Sequence, residues 1–250
     1  MDAPRIEHIR DLLKSGTFLG RLPGIVFDAL VTRGIVKGHP KGDFLYRRGE
    51  PGDSLFLVVS GRVKLTNVSA EGKEIVLQFL GVGDIFGEVA ALDGAARAAD
   101  AQPLEDCEVF VLHSRDLIPT LLGYPDAMLE IIRELCRKLR TGAAFIEDST
   151  LRMRGRMANG LLRLARELGK VGDDGICLEL TMSQEVLGSH CGMSRANVSR
   201  ELAQLKLAGA IKVDGSRIMI LNPDALAEKY ARAAGVALEC TRRNEMGRFQ

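Results

Sequence analysis

The sequence is poor in large aromatic side chains and in long apolar runs. It has no Trp, three Tyr and nine Phe, and no stretch approaches the ~18 consecutive apolar residues of a membrane-spanning helix. Residues 1–16 carry charges throughout and lack the apolar segment of a secretory signal peptide. We therefore expect a cytoplasmic location and no membrane association.

Metal ligands and catalytic motifs are also scarce. The five cysteines are odd in number, scattered and without a CxxC pair, and the four histidines are equally dispersed. This argues against a disulfide framework, a metal site and an iron–sulfur cluster. The chain has no Gly-rich P-loop, no GxSxG and no HExxH motif. We therefore expect neither an enzyme nor a metal cofactor.

What the chain does contain fits a globular protein of two domains. It has 250 residues, of which 46% are hydrophobic and 27% charged, and this length allows two domains of ordinary size. The net charge is only +1, but residues 149–221 hold 11 Lys and Arg against 7 Asp and Glu. A mildly basic second half suits contact with nucleic acid phosphates.

Residues 36–114 have the pattern of a compact antiparallel β barrel or roll. Short β-rich runs at 54–59, 63–66, 74–79 and 107–112 alternate with glycines, which supply turns of positive φ. The segment Glu71-Gly72-Lys73 predicts a hairpin turn. Residues 1–35 are helical in pattern, with a docking face of Leu12, Leu13, Phe18, Leu19 and Leu22.

A short Gly-flanked loop between predicted strands carries the most informative motif. Glu88 follows Phe86-Gly87, and Arg97 lies nine residues later. Glutamate can accept from a ribose hydroxyl, arginine can donate two hydrogen bonds to a ring phosphate, and a free backbone N–H adds a donor. The motif predicts a ribose cyclic phosphate site; a loop ion pair between Glu88 and Arg97 is the alternative. The predicted ligand-binding residues of this loop are Gly87, Glu88, Val89, Ala90, Arg97 and Ala98.

Residues 116–148 form the next block, in which apolar or small residues recur at intervals of 4, 3, 4, 3 and 4. These residues are Met128, Ile132, Leu135, Leu139, Gly142 and Ile146. Such a seam with charged flanks is typical of a dimerisation helix, and packing of the helix on its own domain is the alternative. Gly142 destabilises a helix by roughly 1 kcal/mol relative to Ala. Its presence in the seam therefore suggests that a group other than a protein side chain lies beside it.

Residues 184–203 have the pattern of two crossed helices joined by a tight turn. Their shared core comprises Leu187, Cys191, Met193 and Val198. Gly188 lies where the helices touch, and Gly192 supplies the positive φ of the turn. Ser183 and Ser194 can cap the two helices. Residues 211–213 and 217–220 predict a β-hairpin wing, so the segment is interpreted as a winged helix-turn-helix.

The second helix of this motif presents polar side chains near its N-terminus. Arg195 and Arg200 can each bind a guanine in the major groove, worth ~1–3 kcal/mol of discrimination, whereas Lys206 is expected to contact phosphate. Glu201 falls where many such motifs have an apolar residue, a minor departure. The predicted DNA-binding residues are Ser183, Ser194, Arg195, Ala196, Asn197, Ser199, Arg200 and Lys206. A helical hairpin with surface arginines is the alternative.

Over about residues 15–225 the chain resembles the catabolite activator / fumarate-nitrate regulator (CRP/FNR) family of bacterial transcription factors. The motifs that carry the resemblance are Gly49, Gly61, Gly72, residues 83–88, 97–99 and 193–202, and the dimer helix. The resemblance implies an α+β fold of five parts: N-terminal helices and a cyclic-nucleotide-binding β-roll (1–115), a dimerisation helix (116–148), a hinge (149–155), a winged helix-turn-helix (156–222), and a C-terminal helix and tail (223–250), with disorder expected over 241–250.

The resemblance also implies partners. It implies a homodimer formed through residues 128–146 that binds double-stranded DNA at a near-palindromic site and regulates transcription. An activator of this kind contacts RNA polymerase, and the resemblance assigns that contact to the surface loop 169–175.

At the ligand loop, the resemblance implies a backbone contact from Gly87, a ribose 2′-hydroxyl contact from Glu88 and a phosphate contact from Arg97. Ala98 resembles cyclic-AMP-selective sites, which lack a hydroxyl there. The positions that contact adenine are Gly142 and Ala143 in this chain, or Thr141 after a one-residue shift. Cyclic AMP is therefore expected first, and cyclic GMP stays open.

Ala196 replaces a glutamate that typically follows the first recognition arginine in the family, so the half-site preference is expected to relax or shift at the base pair that this glutamate would read. Two alternative functions remain at this point. A regulator of the same fold that answers another signal, or none, is the nearest rival. A cyclic-nucleotide-binding adaptor subunit without DNA binding is the rival from another class.

Overall fold

The computed structural model describes residues 3–148, 151–179 and 182–230. The chain divides into two compact units, Met1–Asn67 with Leu77–Gly142, and Val68–Val76 with Ala143–Gln250. Within the described residues, no helix is both long and apolar enough to cross a lipid bilayer.

The first unit begins with helices and continues with a β roll. The helices before the roll are α1 (Ala3–Gly16), a single 3-10 turn (Phe18–Arg21) and α2 (Gly24–Arg33). The strands are β1 (Ile35–His39), β2 (Ser54–Ser60), β3 (Val63–Val68), β4 (Glu74–Leu80), β5 (Ile85–Phe86), β6 (Asp100–Pro103) and β7 (Cys107–His113). Helix α3 (Glu88–Asp93) separates β5 from β6, and α4 (Ser114–Leu122) and α5 (Pro125–Asp148) follow β7.

The roll consists of two sheets with strand orders β1-β7-β2-β5 and β4-β3-β6. Strand β2 is central and buried on both faces. Because side chains alternate along a strand, Leu55 and Leu57 enter the core formed with the helices, whereas Phe56 and Val58 enter the core inside the roll. The predicted hairpin turn is confirmed, since Gly72 has φ +77° and Ser69 N donates to Lys73 O at 2.8 Å.

The block expected to form one dimerisation helix over 116–148 is two helices, α4 and α5. The chain breaks at Gly123-Tyr124 because Pro125 has no N–H to donate to a preceding turn and suits the first position of a new helix. Helix α4 buries Leu117 and Leu121 in the core of the first unit. The seam therefore lies entirely on α5.

Helix α5 shows two different apolar faces. Ala127 and Ile131 are buried in the core of the first unit, and Met128 and Leu135 pack against that core in part. By contrast, Ile132, Leu139 and Ile146 are exposed, the last two by more than 70%. Packing on its own domain thus accounts for one face of α5 and leaves the exposed half of the predicted seam unexplained.

The second unit contains the helix-turn-helix. Its elements are α6 (Met153–Leu168), β8 (Lys170–Gly172), β9 (Gly175–Glu179), α7 (Gln184–Cys191), α8 (Arg195–Leu207), β10 (Ile211–Asp214), β11 (Arg217–Ile220) and α9 (Pro223–Tyr230). The strands form one sheet in the order β10-β11-β9-β8. The predicted wing is confirmed as the β10–β11 hairpin, and Asn222 Oδ1 accepts from Ala225 N at the start of α9.

One local prediction in the second unit was wrong. Residues 169–175 were expected to be a surface loop, but β8 and β9 pair as a hairpin with Gly172 opposite Gly175. Of the glycines and aspartates that suggested a loop, Gly169 ends α6, whereas residues 172–175 form the tip of the hairpin. The expected disorder of residues 241–250 lies outside the described residues, as do residues 149–150 of the predicted hinge.

Candidate nucleotide-binding and DNA-binding sites

The backbone of Arg97 is held by the chain segment before β2. Arg97 N donates to Glu50 O at 2.8 Å, and Gly49 N donates to Arg97 O at 2.9 Å. The neighbouring residues Pro51 and Ala96 form an isolated β-bridge. These contacts turn the Arg97 side chain inward, where only 4% of its surface is exposed.

The guanidinium of Arg97 contacts neutral oxygens and aromatic rings. Its NH1 donates to Ser54 O at 2.8 Å and Gly87 O at 2.9 Å, and its NH2 donates to Ser54 Oγ at 3.1 Å. The ring centre of Tyr46 lies 4.4 Å from the guanidinium carbon and that of Phe56 lies 5.2 Å away. Burial lowers the pKa of Arg97, because an apolar surrounding disfavours the charged form.

Among the described residues, Arg97 has no ionic partner. No carboxylate of those residues lies within 4.0 Å of its guanidinium nitrogens, and its buried Nε has no hydrogen-bond partner. A buried cation usually has an anion beside it, because desolvation is otherwise uncompensated. Arg97 is therefore equipped to bind an anion.

Gly87 allows Arg97 to approach the backbone. It has φ +75°, in the left-handed region that glycine tolerates best. A Cβ at this position would lie 2.8 Å from Arg97 NH1 and 3.0 Å from Phe56 Cδ2. Glycine is thus favoured at this position both for its conformation and for space.

Glu88 is the first residue of α3 and is 3% exposed. Its Oε1 accepts a hydrogen bond from Lys138 Nζ of α5 at 2.7 Å. The alternative of a loop ion pair between Glu88 and Arg97 was therefore wrong. Sequence reasoning missed Lys138, which stood out only as one of the charges flanking the α5 seam, and it also missed Ser54 and Tyr46.

The other predicted ligand-binding residues are more dispersed. Val89 and Ala98 are exposed, whereas Ala90 is buried against Gly52, at which a Cβ would overlap the Ala90 methyl. Thr141 and Gly142 lie exposed on α5. Thr141 Oγ1 donates to Arg137 O at 3.1 Å, and a Cβ at Gly142 would have no atom within 4 Å. The structure thus brings Gly87, Glu88 and Arg97 together, and base contacts from α5 stay a prediction.

The helix-turn-helix has the predicted local geometry. Ser183 Oγ accepts from Val186 N at 3.3 Å, and Ser194 Oγ accepts from Asn197 N at 3.4 Å, so both serines cap their helices. Gly192 has φ +63°. A Cβ at Gly188 would lie 2.6 Å from Met193 O, which confirms the close contact expected between the helices.

Helix α8 presents a polar face beside its N-terminus. Val198 is fully buried, whereas Asn197 is half-buried. The exposed predicted DNA-binding residues on this helix are Arg195, Ala196, Ser199, Arg200 and Lys206. Within the described part of the chain, Arg195 and Arg200 form no ion pair, so both guanidinium groups are available to a nucleic acid.

The inner face of α8 contains a charge that sequence reasoning underrated. Glu201 is buried, and its Oε2 accepts from Arg154 Nε of α6 at 3.1 Å. On the same helix, Arg156 Nε donates to Cys191 O at 3.2 Å and Arg156 NH2 donates to Gly192 O. Two arginines of α6 therefore hold the recognition helix and the turn that precedes it.

No group of three or more His, Cys, Asp or Glu in residues 3–148, 151–179 and 182–230 could hold a metal ion. The two candidate sites are the Arg97 loop and the exposed face of α8, and each lies in a region that matches a known domain.

Two family models match the chain, one over each region. The cyclic nucleotide-binding domain matches residues 36–122, and the Crp-like helix-turn-helix domain matches residues 155–229.

Individual relatives agree with these matches. The chain is similar to the CRP-like cAMP-activated global transcriptional regulator of Mycobacterium tuberculosis, with 27% identity over 220 residues, 87% of this chain and 97% of the relative. It is 30% identical to the cyclic AMP receptor protein of Thermus thermophilus over 194 residues, 77% of this chain and 86% of the relative. A solved CRP-family transcriptional regulator from Thermus thermophilus has 28% identity and a TM-score of 0.63, covering 80% of this chain and 100% of that chain. The chain therefore belongs to the CRP/FNR family of transcription regulators, with a cyclic nucleotide-binding domain followed by a Crp-like helix-turn-helix DNA-binding domain.

Proposed function

We propose that the chain is a homodimeric, sequence-specific transcription regulator whose DNA binding is controlled by cyclic AMP, with cyclic GMP as the second candidate effector. The observation that carries this proposal is the buried Arg97 guanidinium, which contacts neutral oxygens but no carboxylate among the described residues. A cyclic phosphate bears one negative charge and several acceptor oxygens, which match a guanidinium.

Glu88 supports the sugar half of the ligand. Its Oε1 binds Lys138, and its Oε2 accepts no hydrogen bond from the residues that the structure describes. A ribose 2′-hydroxyl can donate to that oxygen. The purine is then left to α5, where Thr141 offers a hydroxyl and Gly142 offers open space, so base selectivity depends on this helix.

The exposed seam of α5 supports the dimer. Leu139 and Ile146 lie two turns apart on one face and are largely exposed, which is unfavourable unless a second copy covers them. A dimer has two copies of α8, each with Arg195 and Arg200 exposed. We infer two half-sites of double-stranded DNA read in the major groove.

The proposed regulation is a population shift. Nucleotide binding beside α5 favours the arrangement in which both recognition helices match the two half-sites. The β8–β9 hairpin is the proposed contact with RNA polymerase, as an activator requires. Its turn, Asp173-Asp174, is exposed.

Titration calorimetry of the purified protein with cyclic AMP and with cyclic GMP tests the effector, followed by operator binding with and without each nucleotide. Arg97→Gln should weaken cyclic AMP binding by about 10- to 150-fold, since a charged hydrogen bond contributes ~1.5–3 kcal/mol. Arg48→Gln, an exposed arginine of the same unit, is the matched control and should bind as the wild type does.

Equal affinity of wild type and Arg97→Gln would contradict the phosphate assignment. An operator affinity that is unchanged by either nucleotide would favour a regulator that responds to another signal. Nucleotide binding without DNA retention at low salt would favour an adaptor subunit.

A further inference from the structure

Arg163 is a buried arginine of α6 that contacts three separate places in the second unit. Its NH1 binds Asp148 Oδ2, and its NH2 donates to His190 O at 3.3 Å. Its guanidinium carbon also lies 5.2 Å from the ring centre of Phe145. Phe145 and Asp148 belong to the last turn of α5, and His190 belongs to α7. One side chain therefore joins the end of the seam-bearing helix to the first helix of the helix-turn-helix.

Asp148 is placed where a carboxylate is normally unfavourable. It is the last residue of α5, whose final turn has no basic residue, and the negative end of the helix dipole repels an acid there. Both carboxylate oxygens are nevertheless satisfied, Oδ1 by Asn159 Nδ2 and Oδ2 by Arg163. Both donors come from α6, so among the described residues the charge at the end of α5 is compensated through contact with α6.

The same helix fixes the recognition helix. Arg156 binds the carbonyls of Cys191 and Gly192 at the turn between α7 and α8. Two residues before Arg156, Arg154 binds the buried Glu201 of α8. A continuous series of contacts therefore runs from the last turn of α5, through α6, to α8.

We propose that Asp148 and Arg163 are positioning residues that fix α8 relative to the last turn of α5 and thereby set the half-site spacing that the dimer recognises. This inference rests on the proposed dimer, in which α5 joins two copies. Half-sites repeat with the ~34–36 Å helical turn of about 10 base pairs, so one inserted base pair moves a half-site by about a tenth of a turn. A dimer in which α8 is fixed relative to α5 should bind the altered spacing more weakly. A dimer in which this contact is loosened should adapt to the altered spacing and lose less affinity.

The test is Asp148→Asn in the full-length protein. Asparagine keeps the shape, removes the charge and is better tolerated at a helix C-terminus, so the last turn of α5 should still form. Binding is measured at saturating cyclic AMP to two kinds of duplex. One carries a selected half-site once. The other carries it twice, either with the preferred spacing or with one or two base pairs added or removed. Wild type should lose affinity on the order of 10-fold for one inserted base pair. The variant should bind the single half-site unchanged and show a flattened spacing profile.

Two further variants sharpen the result. Asp173→Asn makes the same chemical change at the exposed β8–β9 turn and should keep the wild-type profile. Arg163→Lys keeps the charge, but one ammonium cannot reproduce the fork that binds both Asp148 and His190 O, so its profile should also flatten.

A sharp, wild-type profile in Asp148→Asn would overturn the inference and leave the proposed function standing. Weakened binding of the single half-site would also overturn it, because the pair would then support the fold of the helix-turn-helix itself. If wild type itself bound two half-sites no better than one, the proposed dimer would fail and the inference with it.

Discussion

Lys138 Nζ lies 2.7 Å from Glu88 Oε1, which ties helix α5 to the nucleotide-binding loop within the first unit. Glu88 is 3% exposed and Lys138 is partly exposed. The lysine therefore compensates a desolvated carboxylate and leaves its second oxygen for a ligand. Helix α5 therefore contributes Lys138 to the candidate site, independently of the proposed contact with the base.

Lys138→Met should weaken cyclic AMP binding. Without the ammonium, the buried Glu88 carboxylate loses its side-chain hydrogen-bond donor and is no longer held where its second oxygen can accept from the ribose. We expect a loss of about 10-fold, the effect of one charged hydrogen bond of ~1.5 kcal/mol. Titration calorimetry measures it. Arg140→Met, an exposed position on the same helix, is the control, and equal losses in the two variants would refute the role of Lys138.

Gly87→Ala should lower both stability and nucleotide affinity. Alanine in the left-handed region destabilises by roughly 1–2 kcal/mol, and its Cβ would also press on Arg97 NH1 and Phe56. Gly72→Ala is a matched control, since Gly72 has φ +77° and no atom within 4 Å of the added Cβ. Thermal melting should show a loss for both variants, and a larger one for Gly87→Ala, whereas calorimetry should show weaker cyclic AMP binding for Gly87→Ala alone. Unchanged affinity in Gly87→Ala would contradict the site.

Local patterns were sufficient to predict much of this molecule. The turn at Gly72, the caps at Ser183 and Ser194 and the left-handed Gly192 depend on residues within a few positions of each other, and each is present. The β-rich run at 54–59 is likewise present as β2. The sequence also predicted that Gly87, Glu88 and Arg97 come together, because these residues lie close in the chain.

Contacts between distant residues could not be predicted in the same way. Lys138 meets Glu88 across 50 residues, and Arg154 meets Glu201 across 47. No periodicity in one segment specifies a partner in another. Glu201 consequently looked like a departure from an apolar position, whereas the fold supplies an arginine for it. The break between α4 and α5 was missed although Pro125 signalled it.

The Arg154–Glu201 pair should show measurable coupling in stability. Glu201 is largely buried, and breaking its contact should reduce the free energy of unfolding by about 1 kcal/mol. The double variant Arg154→Gln with Glu201→Gln should lose less than the sum of the single variants, with a coupling energy of about 0.5–2 kcal/mol. Chemical denaturation measures the cycle. The more exposed pair Lys170–Glu179 serves as control and should couple by about 0–0.5 kcal/mol. Equal coupling in the two cycles would contradict the role of burial.

Leu139→Lys should dissociate the proposed dimer. Leu139 is 73% exposed in one copy, and burying a leucine contributes ~1.5–3 kcal/mol. Its loss from both copies, with two like charges brought together, should raise the dimer dissociation constant by about 100-fold or more. Analytical ultracentrifugation measures this constant. Ile25→Lys on the exposed surface of α2 is the control, and a Leu139→Lys variant that stays dimeric at the same concentration would exclude the α5 seam.

Acid should destabilise the second unit through His190. Burial, with the nearby Arg163 charge adding to it, lowers the pKa of His190 to about 3, below the ~6.5 of an unfolded histidine. Between these values the unfolded chain binds a proton that the folded chain does not. The His190 contribution to stability is therefore complete above about pH 6.5 and is lost as pH falls, by up to ~1.4 kcal/mol per pH unit. Urea unfolding followed by circular dichroism at pH 7.5, 6 and 5 should show a shallower pH dependence for His190→Gln than for wild type, with exposed His8→Gln behaving as wild type does. Equal slopes for wild type and His190→Gln would mean that His190 takes up its proton without unfolding.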